Sequence, residues 1–98
     1  MGMGAASIGA VLLHKKDNVG TVLQSIRSGE LIRLRVGKGM ISIASAEPIP
    51  RGHKIALTDI RRGDCVVKYG EVIGEASTFI PKGSHVHIQN LRGRGLSR

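Results

Sequence analysis

One short pattern occurs four times along the chain and restricts its fold more than any other feature of the sequence. The pattern is Ile-x-x-Gly, and its copies occupy residues 26–29, 49–52, 60–63 and 80–83. The isoleucine can anchor a corner in the core, and the glycine can adopt the positive φ that a tight turn often needs. The spacing of the copies is irregular, which excludes a solenoid of constant period. The pattern therefore predicts a small β-fold with several sharp corners.

The segment after the first corner has the alternation of a β-hairpin. Ile32, Leu34 and Val36 alternate with arginines, Gly37-Lys38-Gly39 follows as a turn, and a second apolar run covers residues 41–43. This is the period of a half-buried strand and its return strand.

One short helix is predicted before the first corner. Asp17 is a good N-cap, apolar residues recur at helical spacing from Val19 to Ile26, and Gly29 is a typical residue just beyond a helix end. In this interpretation Asp17 and Asn18 are explained by helix capping. The predicted fold class is mainly β with one short helix.

The charge of the chain favours an acidic partner. Fifteen Lys and Arg residues against seven Asp and Glu residues give a net charge of +8 over 98 residues. Such a charge would attract nucleic acid, an anionic small molecule or an acidic protein surface. Tyr69 and Phe79 are the only Phe, Tyr or Trp residues, so stacking of single-stranded bases has little support. Nucleic acid is therefore not the expected partner.

Two further features of the sequence predict where in the cell the protein is located. Cys65 is the only cysteine, which excludes an intrachain disulfide and fits a reducing cytoplasm. The apolar run within residues 1–13 has no preceding Lys or Arg and is too short to span a bilayer. We therefore expect a cytoplasmic protein that does not bind membranes, with residues 1–10 as a flexible start.

The stretch SHVHIQN places two histidines close together near the end of the chain. In a strand, side chains alternate between faces, so His85, His87 and Gln89 would share one face, and Val86 and Ile88 the other. His85 and His87 could then bind a divalent metal if a third ligand converged on them, or donate to a substrate. A solvated polar face is the alternative, and the pattern leaves both open.

Basic residues near two turns are further candidates. Arg51, His53 and Lys54 could form a cationic corner for an anionic ligand, with Arg51 suited to a carboxylate, or could be a plain surface turn. Lys68 and Tyr69 could act as an acid–base pair, or could simply end a strand.

Five blocks of the sequence together resemble a known family. They are His14 with Asp17-Asn18-Val19, then residues 50–60, 67–74, 83–87 and 91–95. In this order the blocks are similar to the small N-terminal domain of the altronate/galactarate dehydratases. The resemblance implies a SAF-type β-clip domain at residues 11–91, followed by a flexible basic tail at residues 92–98.

The resemblance also implies a reaction and partners. Members of this family remove water from a sugar acid such as altronate or galactarate with the help of a divalent metal, usually iron. Their small domain precedes a much larger catalytic region or forms a separate subunit. The expected partners are therefore that larger region and an anionic sugar acid, and a homo-oligomer of this chain stays open. The chain is expected to be inactive alone.

The expected site residues fall into three groups. Those expected to take part in catalysis are His85, His87, Lys68 and Tyr69. Those expected to bind the substrate are Arg51, His53 and Lys54. The expected metal ligands are His85 and His87, since Gln89 occupies the position where the altronate-like motif His-Val-His-x-His-Asn has a third histidine.

Two other functions stay open. The small subunit of sulfolactate sulfo-lyase looks like a close relative of the same domain, which would make sulfite the leaving group. A non-catalytic carbohydrate-binding or oligomerisation module is the other alternative. Such a module would leave the rate of a larger lyase unchanged.

Overall fold

A computed structural model of the chain describes residues 9–11 and 14–93, and these residues form β-strands joined by turns, with no helix among them. The nine strands are β1 (Ala10–Val11), β2 (Val19–Val22), β3 (Leu31–Val36), β4 (Gly39–Ala44), β5 (Lys54–Ala56), β6 (Cys65–Lys68), β7 (Glu71–Ala76), β8 (His85–Val86) and β9 (Leu91–Arg92). The prediction of a mainly β fold is confirmed.

The strands form three antiparallel sheets. The central sheet has four strands in the order β1-β2-β5-β8, and β6, β7 and β9 form a three-stranded sheet. The remaining strands, β3 and β4, pair from Leu31 and Ala44 to Val36 and Gly39, with a two-residue turn between them. The hairpin predicted from the alternation of residues 32–43 is thus confirmed.

Both faces of the central sheet are covered by apolar side chains. Adjacent residues of a strand point to opposite faces, and Ile55 and Ala56 of β5 accordingly belong to two different core clusters. The cluster around Ile55 includes side chains from β3 and β4, and the cluster around Ala56 includes side chains from β6 and β7. The two hairpins therefore form outer layers, which leaves the ends of the central strands for polar groups.

The four Ile-x-x-Gly corners are confirmed. All four isoleucines are buried, and Gly29, Gly52, Gly63 and Gly83 have φ values between 82° and 89°. The residue after each glycine donates its N–H to the carbonyl three positions earlier. This is the geometry of a β-turn whose third residue is left-handed, which explains the glycine.

The corners work in two pairs that have equivalent hydrogen bonds. Ile26 and Ile49 exchange two backbone hydrogen bonds across the base of the β3–β4 hairpin. Ile60 and Ile80 do the same across the base of the β6–β7 hairpin. The chain is therefore built from two similar units, each consisting of a corner, a hairpin and a second corner.

The predicted helix is wrong. Val19–Val22 forms strand β2, which pairs with β1 on one side and with β5 on the other. Three of its four residues are β-branched, which lowers helix propensity and suits a strand. A Cβ atom on Gly20 would lie 3.2 Å from the Val11 carbonyl oxygen, so the neighbouring strand approaches closely there. Pairing on both sides therefore overrides the helical spacing.

Asp17 and Asn18 consequently cap no helix, and they hold the β6–β7 hairpin instead. Asp17 Oδ1 accepts a hydrogen bond from the Gly70 N–H at 2.8 Å. The Asn18 side chain donates to the Cys65 carbonyl at 2.9 Å and accepts from the Val67 N–H at 2.8 Å. These contacts fix the hairpin against the segment that leads into β2.

The predicted flexible ends, residues 1–10 and 92–98, lie mostly outside the described residues. Where the structure describes them, Ala10 is a buried residue of β1, and Arg92 of β9 forms a salt bridge with Glu75 at 2.6 Å. Within residues 9–11 and 14–93, no helix of sufficient length and hydrophobicity to cross a membrane is present.

Candidate functional site

Three histidines meet at one end of the central sheet, where β5 begins and β8 ends. Ile55 of β5 is paired with His85 of β8 in antiparallel register. The same register, continued by two residues, places His53 opposite His87. Residues directly opposite each other in an antiparallel pair have side chains on the same face, so all three imidazoles lie on one side of the sheet.

The three imidazole rings form a compact group, here named the histidine cluster. His53 Nδ1 lies 2.9 Å from His85 Nε2, and the ring centroids of His53 and His87 are 4.1 Å apart. The rings are stacked, with no interplanar angle above 25°. One nitrogen from each ring lies within 4.8 Å of the other two, and all three residues are partly buried.

A turn after β8 fixes the backbone of two of these histidines. The buried Asn90 side chain donates to the His85 carbonyl at 2.9 Å and accepts from the His87 N–H at 3.0 Å. Glu47 Oε2 accepts a hydrogen bond from the His85 N–H at 3.0 Å. The histidine cluster is thus anchored both to its own turn and to the segment that follows β4.

The surroundings of the cluster disfavour protonated imidazoles. Burial, followed by the neighbouring His53, His87 and Lys54, lowers the pKa of His85 from its ordinary value of 6.5, while Glu47 acts in the opposite direction. Burial, His53 and Lys54 also lower the pKa of His87. Both histidines are therefore mainly neutral near pH 7, and each has a nitrogen lone pair to offer.

One imidazole nitrogen of the cluster has no partner among the described residues. His87 Nδ1 is buried and makes no hydrogen bond, although buried polar atoms are almost always bonded. Gln89 does not satisfy it, because Gln89 Nε2 lies 3.4 Å from His85 Nδ1 instead. A bound ion or ligand would supply the missing interaction.

A second set of polar side chains, here named the lysine–tyrosine group, lies at the same end of the sheet on the opposite face of β5. Lys54 is directly opposite Thr21 of β2, and the hydroxyl of Thr21 is 3.4 Å from that of Tyr69. Lys68 Nζ lies 4.9 Å from the centre of the Tyr69 ring. Burial, followed by the charge of Lys68, lowers the pKa of Lys54. In the described part of the chain, no carboxylate lies within 4.0 Å of either ammonium group.

Tyr69 has an unusual backbone conformation. The turn between β6 and β7 consists of Tyr69, with φ of 56°, and Gly70, with φ of 80°. A two-residue hairpin with two positive φ angles favours Asn or Gly at both positions. A tyrosine there costs about 1–3 kcal/mol, and such strain is typical of functional positions. The structure thus places the Tyr69 side chain beside Lys68 although the backbone at this position favours Asn or Gly.

The structure brings together most of the predicted site residues, but not all of them. His53 joins His85 and His87, and Lys54 lies near Lys68 and Tyr69 on the other face of β5. Arg51 stays apart from both groups. Its side chain is exposed and makes no hydrogen bond or ion pair with the described residues, while its backbone N–H donates to Ser25 Oγ at 3.3 Å.

The predicted alternation of faces holds for His85, Val86 and His87 but is wrong for Ile88. Val86 is fully buried, whereas Ile88 is 84% exposed. The strand ends at Val86. The chain then turns at residues 88–90, where the Asn90 N–H donates a hydrogen bond to the His87 carbonyl at 3.1 Å. The strand period therefore stops before it reaches Ile88.

The residues that hold the site in place were missed by the sequence reasoning. They are Asp17, Asn18, Glu47 and Asn90. Asn90 had a usable signal, because an asparagine just after a strand favours a turn. The other three contact backbone that lies 38 to 53 residues away along the chain, and no local pattern indicates such contacts.

A divalent transition metal fits the donors of the histidine cluster. Imidazole nitrogen suits zinc, copper, iron and nickel. Metal–nitrogen distances of about 2.0–2.1 Å place two nitrogens on one ion about 3–4 Å apart. The observed separations are 2.9 Å for one pair and at most 4.8 Å for all three. Because the rings are stacked and each lone pair lies in its ring plane, the imidazoles would also turn about their side-chain bonds to point at one ion.

Fold and site together define a small all-β domain that carries a histidine- and lysine-rich site at one end of its central sheet. The altronate/galactarate dehydratase SAF domain matches residues 8–94 of this sequence. The chain belongs to this family, which confirms the resemblance found in the sequence.

Several characterised proteins are similar to this chain. Altronate dehydratase of Bacillus subtilis is 43% identical over 84% of this chain and 16% of that protein. Galactarate dehydratase (L-threo-forming) of Escherichia coli is 38% identical over 78% of this chain and 14% of that protein. The (2R)-sulfolactate sulfo-lyase subunit alpha of Chromohalobacter salexigens is 30% identical over 88% of this chain and 95% of that subunit. The chain therefore spans a small part of the dehydratases and nearly all of the sulfo-lyase subunit.

Proposed function

We propose that this chain is the small domain or subunit of a lyase acting on a sugar acid of the altronate or galactarate type. In this proposal it helps to form or close the substrate site of a larger catalytic region, in the cytoplasm. The observation that carries the proposal is that the histidine cluster and the lysine–tyrosine group lie at the same end of the central sheet, where burial and the charge of Lys54 help to lower the pKa of His85 and His87, in a chain of this family. We expect little activity from the chain alone.

Two ammonium groups with no carboxylate partner among the described residues support an anionic substrate. Lys68 lies close enough to lower the pKa of Lys54, and neither has a carboxylate of the described residues within ion-pair distance. A carboxylate placed between these ammonium groups would stabilise both, because an opposite charge within about 4–6 Å favours the charged form. The carboxylate of a sugar acid has this chemistry.

The polar groups at this end of the sheet suit the needs of a dehydration. Removing water from a 2,3-dihydroxy acid takes a proton from the carbon beside the carboxylate and a hydroxide from the next carbon. Negative charge develops on the carboxylate side, where Lys54 and Lys68 would stabilise it. His85 and His87 would donate a hydrogen bond to the departing hydroxyl, and the base would come from the larger region.

Three other predicted residues receive roles on the same basis. Tyr69, held beside Lys68, would bind a substrate hydroxyl through its own hydroxyl. His53 would contact the substrate or complete the histidine cluster. Arg51, which is exposed, would face the larger region or the far end of the acid.

A divalent metal, with iron as the expectation from the family, would be held by His85 and His87. Their neutral imidazoles are suitable ligands for such an ion. When bound, the ion would supply Lewis-acid polarisation of a substrate oxygen.

A second candidate is the small subunit of a sulfolactate sulfo-lyase. It is favoured by the coverage, since this chain matches 95% of the Chromohalobacter salexigens subunit alpha. Sulfolactate carries a carboxylate and a sulfonate, so the same lysines would suit it. The leaving group would then be sulfite.

The test is to purify the chain together with its larger catalytic region and to assay altronate, galactarate and sulfolactate with and without Fe²⁺. The double variant Lys54→Ala/Lys68→Ala should lower kcat by at least about 100-fold, the effect of removing a group that stabilises developing negative charge. Keto-acid formation or sulfite release identifies the substrate.

The matched control is Lys38→Ala/Lys82→Ala, which removes the same charge from two exposed positions. This control should retain the full rate. A full rate in Lys54→Ala/Lys68→Ala would contradict the proposal. If the larger region had the same rate without this chain, the chain would be a non-catalytic module.

A further inference from the structure

We infer that His53, His85 and His87 form a binding site for a divalent transition metal that is complete within this chain. The inference extends the metal site of the proposed function, in which His85 and His87 hold the ion, although it requires no larger catalytic region and no lyase substrate. The third ligand is His53, which directly precedes β5.

The first argument is the way the backbone brings the ligands together. His53 precedes β5, whereas His85 and His87 belong to β8 and the turn after it, and the antiparallel register of these strands places the three rings on one face. The Asn90 and Glu47 side chains hold the β8 side of the site in place. The backbone positions of the ligands are therefore fixed by the fold before any ion binds, which lowers the entropic cost of binding.

The second argument is one imidazole nitrogen that has no partner among the described residues. His87 Nδ1 is buried without a hydrogen bond. His53 Nδ1 and His85 Nε2, 2.9 Å apart, hydrogen-bond to each other. A cation bound by the cluster would give His87 Nδ1 its missing partner and would replace the contact between the other two rings.

The third argument concerns the type of ion. The cluster offers three imidazole nitrogen donors and no carboxylate oxygen, whereas Mg²⁺ and Ca²⁺ require oxygen ligands. The donor set therefore favours first-row transition metals such as Fe²⁺, Co²⁺, Ni²⁺, Cu²⁺ and Zn²⁺ over Mg²⁺ and Ca²⁺. Three protein ligands also leave at least one coordination position for water or another small ligand, which is the arrangement of a reactive site and not of a closed structural one.

The position of Gln89 explains how the site can exist without the third histidine of the altronate-like motif. Gln89 Nε2 lies 3.4 Å from His85 Nδ1 and 3.4 Å from the His85 carbonyl. Gln89 thus lies beside Nδ1 of the His85 ring and helps to orient that ring. The place of the third ligand is taken by His53, whose Nδ1 approaches the opposite nitrogen of His85.

The experiment is a titration of the purified, metal-free chain with Co²⁺, followed by visible d–d absorption and by the melting temperature. We expect saturation at about one ion per chain and a melting temperature that rises with the Co²⁺ concentration. Mg²⁺ and Ca²⁺ should produce neither effect. Each of His53→Ala, His85→Ala and His87→Ala should weaken Co²⁺ binding by at least about 100-fold, the upper end of what lost outer-sphere contacts cause.

The matched control is His14→Ala, because His14 is exposed and lies outside the cluster, against Gly70. This variant should bind Co²⁺ as the unaltered chain does. If an alanine variant of the cluster fails to fold, as judged by its far-UV circular dichroism, the corresponding glutamine variant replaces it.

Three outcomes would overturn the inference: no saturable Co²⁺ binding, equal binding of Mg²⁺, or unchanged binding in His53→Ala. These outcomes are separable from failure of the proposed function. A chain that binds no metal can still enhance a larger lyase, and a chain that binds Co²⁺ can still leave that lyase unaffected.

Discussion

The fourth corner should tolerate substitution far less well than the third, although their backbones are alike. Gly63 and Gly83 both have φ of 89°. A Cβ atom at Gly63 would have no heavy atom within 4 Å, whereas one at Gly83 would clash with the Ala44 carbonyl oxygen and lie 3.4 Å from the Ala46 nitrogen. The Ala46 N–H donates to the Gly83 carbonyl at 2.9 Å, so the strained segment cannot move freely away.

The magnitudes follow from these environments. Gly63→Ala carries only the cost of a left-handed alanine, about 1–2 kcal/mol. Gly83→Ala adds the cost of an overpacked contact with backbone, about 1–3 kcal/mol, for a total of about 2–5 kcal/mol. The total is a large share of the stability of a small domain, which is about 5 kcal/mol at the lower end of the usual range.

Urea unfolding of the two variants and the unaltered chain, followed by far-UV circular dichroism, measures the difference. We expect equal m-values and a clearly lower midpoint for Gly83→Ala than for Gly63→Ala. Equal loss of stability in the two variants would refute the reasoning, because it would show that the contact between the fourth corner and the end of β4 does not constrain the fold.

Three further predictions concern the site. Tyr69→Asn should raise the melting temperature by about 4–8 °C, because relief of about 1–3 kcal/mol of backbone strain outweighs the loss of one exposed cation–π contact by about 1 kcal/mol. The same variant should lower the lyase activity of the combined protein. A lower melting temperature would contradict the assigned backbone strain. Asn90→Ala should cost about 2–3 kcal/mol in urea unfolding and should weaken Co²⁺ binding, because the partly buried His85 carbonyl and His87 N–H each lose a hydrogen bond. A loss below about 0.5 kcal/mol would argue against this role. Lys54→Met should raise the melting temperature of the isolated chain, because burial and the charge of Lys68 both disfavour the Lys54 ammonium group. The same variant should lower the lyase rate of the combined protein. A fall in melting temperature would contradict the repulsion between Lys54 and Lys68.

The parts of the fold that depend on local chemistry could be predicted from the sequence. The Ile-x-x-Gly corners and the hairpin with Gly37-Lys38-Gly39 were both recognisable, because turn geometry is determined by a few adjacent residues. The pairing of the corners was not recognisable. Ile26 with Ile49 and Ile60 with Ile80 are contacts between distant segments, and the repeat alone does not say which corner meets which.

The predicted helix was wrong because the local pattern did not determine the structure of that segment. Residues 17–26 have apolar spacing that suits a helix, but Val19, Thr21 and Val22 are β-branched and have a strand on each side. Tertiary pairing decides such short segments, because isolated helices of this length are marginal in water. A stricter weighting of β-branched residues would have favoured the strand.

The candidate site was predictable in its residue types and not in its grouping. His85 and His87 share a face because of the two-residue strand period, which is a local property. His53 reaches the same cluster from 32 residues away, through the register of β5 with β8. Arg51 lies within the turn at Gly52 and is exposed, whereas His53 follows the turn and directly precedes β5.

The most direct test of the account is the lyase rate of the larger catalytic region when it is combined with the unaltered chain or with His85→Ala/His87→Ala. The unaltered chain should raise the rate on its sugar acid or on sulfolactate, and the double variant should bind the larger region but lose at least about 100-fold of that rate. A double variant that supports the full rate would contradict the claim that this end of the sheet belongs to the substrate site.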